Sequence, residues 1–91
     1  MPQTKIMNKI IWNNIERAIA LKFPQDKEEQ RLIKFIICDK VFWQNKTRWT
    51  RILNNSSQPT MYELILISDI LKKPVESLVE YGEFIHEMTQ S

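Results

Sequence analysis

The stretch Trp43-Gln44-Asn45-Lys46-Thr47-Arg48-Trp49-Thr50-Arg51-Ile52-Leu53-Asn54-Asn55 constrains this chain more than any other, because it suits one short helix with two unlike faces. Trp49, Ile52 and Leu53 stand at i, i+3 and i+4, so they share a side that docks on a core. Lys46, Thr47, Thr50, Arg51 and Asn54 point mostly elsewhere. Residues 43–58 hold three basic residues and no acid. An ordinary amphipathic surface helix has the same pattern, so the surrounding chain has to decide between readings.

With 91 residues, the chain has room for one domain and a single modest core. A 43% hydrophobic and 26% charged composition is globular, not disordered. The lone Cys38 has no disulfide partner and sits in the apolar run Phe35-Ile36-Ile37-Cys38, which reads as a core thiol in a reducing compartment. No apolar run approaches membrane-span length, and the N-terminus lacks a signal-peptide core, so the expected location is the cytoplasm. The formal net charge of +2 says little, but its distribution says more. Residues 1–23 carry four basic residues against Glu16, whereas residues 74–91 hold Glu76, Glu80, Glu83 and Glu87 with no Lys or Arg. A basic front and an acidic tail suit a protein that meets an anion on one side.

The expected fold is all-α, with about five short helices in one domain, and no strand signal, repeat or low-complexity tract is evident. Residues 5–22 read as a first helix, with Ile6, Ile10, Ile11, Ile15, Ala18 and Ile19 forming one stripe. Trp12 lies off the centre of that stripe and either fills the core or marks a contact with a second molecule. The helix should stop before Pro24. Residues 26–42 form the second and central helix, opened by Asp26 and Glu29 as a capping box. Its Leu32, Ile33, Phe35, Ile36, Ile37, Val41 and Phe42 are too many for one narrow stripe. A very short connection then leads to the basic helix, about 45–54, so the two should cross steeply.

Asn54-Asn55 provides the stop for that helix, and Ser56-Ser57-Gln58-Pro59 a loop. Thr60-x-x-Glu63 predicts a second capping box and a helix to Leu71, with Met61, Leu64, Ile65, Ile67 or Ser68, and Leu71 facing in. Pro74 suits the first position of a fifth helix over 75–81, with Leu78 and Val79 facing in and Gly82 as its C-cap. Residues 83–91, including Phe84, Ile85 and Met88, continue a helix or form a loose tail.

From about Leu32 to Tyr81, the order and spacing of these pieces resemble the lambda repressor-like (Cro/repressor, XRE-type) helix-turn-helix family. The resemblance rests on the apolar helix ending Ile37-Cys38-Asp39-Lys40-Val41, then Asn45-Lys46-Thr47-Arg48-Trp49-Thr50-Arg51-Ile52. The polar loop to Pro59, the helix from Thr60 and the closing Lys73-Pro74-Val75-Glu76-Ser77-Leu78 complete it. The chain is similar in particular to short prophage-type members, and the helix-turn-helix core would occupy about 26–82. It departs from the family at the turn, where Phe42-Trp43-Gln44 replaces the usual Gly. Either Gln44 or Asn45 takes the left-handed conformation there, or the turn is longer. The family's small Ala maps onto Cys38 or Asp39. Trp49 is the expected core anchor, since the alternative register buries Arg48 unpaired.

The resemblance implies a sequence-specific DNA-binding protein, a transcriptional regulator of phage or mobile-element type, with Gln44, Asn45, Lys46, Thr47, Arg48 and Arg51 facing double-stranded DNA. Lys46, Thr47 and Arg48 lie nearest base edges, with Thr50 and Arg51 at phosphates. A homodimer is expected, because a single unit binds weakly. Its interface would be the first helix with Trp12, or the tail. The alternative is a protein–protein adaptor on the same fold. An enzyme, a metal site, a cofactor and a small-molecule substrate are not expected, since His86 stands alone and no nucleophile has a base partner.

Overall fold

The computed structural model describes residues 4–87, with side chains described from Ile10 to Gly82. The order is β1 (Thr4–Asn13), α1 (Ile15–Lys22), α2 (Lys27–Phe42), α3 (Lys46–Leu53), α4 (Met61–Leu71), a 3-10 turn (Val75–Ser77) and β2 (Val79–Glu87). The chain is therefore mostly helical with a small sheet, not all-α. The helix expected over 5–22 exists only from Ile15, and the one expected over 75–81 shrinks to the single 3-10 turn. Residues 83–87 are not a loose tail but part of β2, and Met88 lies outside the described residues.

β1 and β2 form one antiparallel ribbon, running from Thr4 opposite Glu87 to Asn13 opposite Val79. The helical reading of the N-terminal stretch failed because an isoleucine-rich segment fits both periods, and its β partner lies at the far end of the chain. Asn13-Asn14 interrupts the supposed stripe. Asn13 Oδ1 accepts from the Ile15 amide at 3.2 Å, so the chain turns there and α1 starts anew. The register shifts between Ile10 and Trp12, leaving Ile11 as a bulge. Gly82, expected to cap a helix, instead sits in β2 opposite Lys9. A Cβ there would come within 2.8 Å of Ile11 Cγ2, so the bare glycine leaves room for the bulged side chain. Trp12 is 49% exposed and does not fill the core. The ribbon runs out from the helices and gives the molecule a long axis of 57 Å.

α2 is central, packing against α1, α3 and α4. Ile15 and Ile19 of α1, Ile37, Cys38, Val41 and Phe42 of α2, and Trp49 and Ile52 of α3 are buried together. Leu64, Ile67 and Leu71 of α4, with Leu78 and Val79, close this core. Two expectations fail in detail. Leu32 and Phe35 are exposed, because they fall off the seam of Ile37, Cys38 and Val41. Met61 and Ile65 also face outward, off the seam of Leu64, Ile67 and Leu71. Cys38 is buried, and burial pushes its thiol pKa up; the Lys46 charge opposes this and Asp39 adds to it. Such a thiol stays protonated, as a core residue should. Among the described residues, no helix is long and apolar enough to cross a membrane.

Candidate nucleic-acid interface

α2 and α3 are separated by only Trp43, Gln44 and Asn45. The Asn45 amide bonds the Phe42 carbonyl at 2.9 Å, and the Gln44 amide reaches back to Cys38 O at 2.9 Å. Trp43 (φ 53°) and Gln44 (φ 66°) are both left-handed, a pairing usually built from Gly or Asn. Gln44 was one of the two residues expected to adopt that conformation. Asn45 instead has φ −77° and caps α3, its Oδ1 accepting from the Arg48 amide at 3.1 Å. At the far end Asn55 is left-handed (φ 62°), and Ser56 and Ser57 both donate to the Arg51 carbonyl.

Trp49 anchors α3 as expected, 5% exposed and stacked on Phe42 with ring centroids 5.2 Å apart. Ile52 is fully buried beside it. With that side committed, Lys46, Thr47, Thr50 and Arg51 are exposed on the other. Among the described residues, none of these four makes a side-chain hydrogen bond or an ion pair. The other three expected site residues are engaged within the fold. Gln44 Nε2 donates to Asp39 at 2.8 Å, and Asn45 serves as the cap.

Arg48 is the third. Its Nε and Nη2 donate to the two carboxylate oxygens of Glu63 at 3.1 and 2.5 Å, and its guanidinium lies 5.9 Å from the Phe42 ring centroid. Glu63 also accepts from the Thr60 amide at 2.8 Å, while Thr60 Oγ1 accepts from the Glu63 amide. The expected capping box is therefore made, and its carboxylate also ties α3 to the start of α4. By comparison, only the Asp26 half of the box expected on α2 forms, Asp26 Oδ1 accepting from the Glu29 amide.

Burial pushes the Glu63 carboxyl up, but the bonds from Arg48 and Thr60 outweigh it and hold it below the ordinary glutamate range. The bond to Glu63 raises the Arg48 pKa, with burial opposing. Because the folded Glu63 titrates below its unfolded value, the pair stabilises fully above roughly pH 4–5. That stabilisation is lost as the pH falls through the depressed folded value, Arg48 staying charged throughout. Glu63→Gln should lower the melting temperature at neutral pH and flatten the acid side of the stability profile. Superimposable acid limbs for the two proteins would show that the pair contributes nothing.

A second set of contacts holds the C-terminal end of α3. The buried Asn13 donates from Nδ2 to Ile52 O at 2.8 Å and to Gln58 Oε1 at 2.9 Å. Its backbone amide donates to Asn55 Oδ1 at 2.7 Å, and Asn55 Nδ2 returns a bond to Asn13 O at 3.0 Å. Gln58 Nε2 completes the network on Asn55 Oδ1 at 2.8 Å. This amide cluster joins the base of the ribbon to the end of the basic helix. Nothing in local spacing announces it, since the partners are about forty residues apart. The only sequence signal was an Asn pair inside an apolar stripe.

α3 is thus held at both ends, by Arg48–Glu63 and by Asn13–Asn55–Gln58, with Trp49 and Ile52 beneath it. What it presents outward is short, polar and cationic. No family model matches the chain, and neither a curated protein nor a solved structure matches it significantly.

Proposed function

We propose that this chain binds double-stranded DNA by seating α3 in the major groove, as a lambda repressor-like transcriptional regulator of phage or mobile-element type. The observation that carries this reading is the outer face of α3, where exposed Lys46, Thr47, Thr50 and Arg51 lie opposite the buried Trp49 and Ile52. Lys46 and Thr47 start the helix and reach base edges; Thr50 and Arg51, one turn on, meet phosphates. Gln44 and Asn45 border the same face: Gln44 spends one Nε2–H on Asp39 and keeps the other for DNA, while Asn45, whose Oδ1 accepts from the Arg48 amide, keeps both Nδ2–H donors. Arg48 works as a positioning residue, setting the angle of α3 against α4 through Glu63. A two-fold homodimer gives the two half-sites such a short helix needs.

Met61, Tyr62 and Ile65, exposed together on α4, favour a second reading as a protein–protein adaptor. Salt separates the two, because phosphate contacts release counterions and protein interfaces do so far less. Arg51→Ala should weaken specific and random duplexes alike and reduce the slope of log affinity against log salt by about one. Binding indifferent to salt, or no duplex binding even at low salt, hands the case to the adaptor.

A further inference from the structure

We propose that Trp43 is a DNA-backbone contact, its indole laid against a deoxyribose at the leading end of α3; this rests on the DNA-binding reading above. Trp43 is the most exposed large hydrophobic residue described, at 89%. It contributes nothing to the core there, since the aromatic place beside α3 is filled by Phe42 stacked on Trp49. It also holds a left-handed backbone (φ 53°, ψ 40°) that a Cβ disfavours and that Asn or Gly takes more easily. Folding alone gives no reason for a tryptophan at this position. A residue that is costly to the fold and stripped of packing is a sign of use elsewhere.

Its surroundings indicate the partner. Lys40 and Lys46, three residues to either side, are exposed and make no ion pair among the described residues. Asp39, the nearest carboxylate in sequence, is bonded by Gln44. The indole thus stands in the joint between the two helices, bracketed by cations, next to the first turn of α3. When that turn enters a groove, the joint meets the sugar-phosphate wall. An indole suits that wall, since its face covers the apolar side of a sugar while Nε1–H donates to a phosphate oxygen.

The test is Trp43→Asn and Trp43→Phe in the full chain, titrated with a random-sequence duplex at several salt concentrations, alongside thermal melts. Trp43→Asn should melt no lower than the parent, or a few degrees higher, yet bind on the order of tenfold more weakly at every salt. The salt slope should not change, because no charge is removed. Trp43→Phe should recover part of the affinity. Equal binding by parent and Trp43→Asn would overturn this assignment while leaving the DNA reading intact. A parent protein that binds no duplex would overturn both. Unchanged DNA binding with loss of self-association, measured by sedimentation, would make Trp43 a contact between copies instead.

Discussion

Trp49→Ala is expected to cost the protein a large share of its stability. The ring is almost wholly buried, stacked on Phe42, and lies where α2 and α3 meet. Truncating a buried aromatic to alanine removes its transfer free energy and leaves a cavity that neighbours fill only in part, about 3–5 kcal/mol together. A chain of this length is stabilised by about 5–14 kcal/mol in total. The loss therefore takes about a fifth of the stability at least and, at the low end of that range, most or all of it. A urea titration followed by far-ultraviolet circular dichroism gives the answer, as a midpoint shift at constant slope. Trp49→Phe should recover a large part of the loss, because a smaller ring still stacks on Phe42. An unmoved midpoint for Trp49→Ala would mean that the ring is not buried and that α3 is rotated about its axis.

Asn13→Ala should be the next most damaging change, although it removes only a small polar side chain. Asn13 is 3% exposed, and its amide bonds Ile52 O, Gln58 Oε1 and the Ile15 amide. Alanine leaves Gln58 Oε1 and the Ile15 amide without the partners Asn13 gives them and takes one bond from Ile52 O, which keeps the Asn55 amide; together this costs about 2–4 kcal/mol. Asn13→Asp should be no better: it keeps the bond from Ile15 but sets a carboxylate against the two oxygens that Nδ2 now serves. The neighbouring Asn14 makes no side-chain cap bond, so Asn14→Ala serves as the control and should cost much less. Equal midpoints for the two alanine variants would remove Asn13 from its role as the tie between ribbon and basic helix. Hydrogen exchange adds a local readout, since protection at residues 52–58 should fall first in Asn13→Ala.

The middle of the chain was legible because its signals are local. Asp26 and Thr60 start helices with their own side chains, and Asn55 stops one by turning left-handed. The spacing of Trp49 and Ile52 is enough to say which side of α3 goes in, because a helix translates sequence distance directly into angle. Those relations span three or four residues, and a single sequence contains them in full.

What the sequence could not decide depends on partners far along the chain. Residues 4–13 suit a helix or a strand, and only the pairing with residues 79–87 settles which, because a strand's hydrogen bonds come from another segment. Arg48 looked free to read a base; Glu63, fifteen residues on, holds it, and that carboxylate already had a complete explanation as a cap. Trp43 sat in a turn where either of the next two residues was the natural left-handed one, and the turn took Trp43 together with Gln44. In each case local chemistry allowed more than one outcome of similar energy. Tertiary packing chose among them because it alone supplies the second half of a ladder, an ion pair or a buried amide bond.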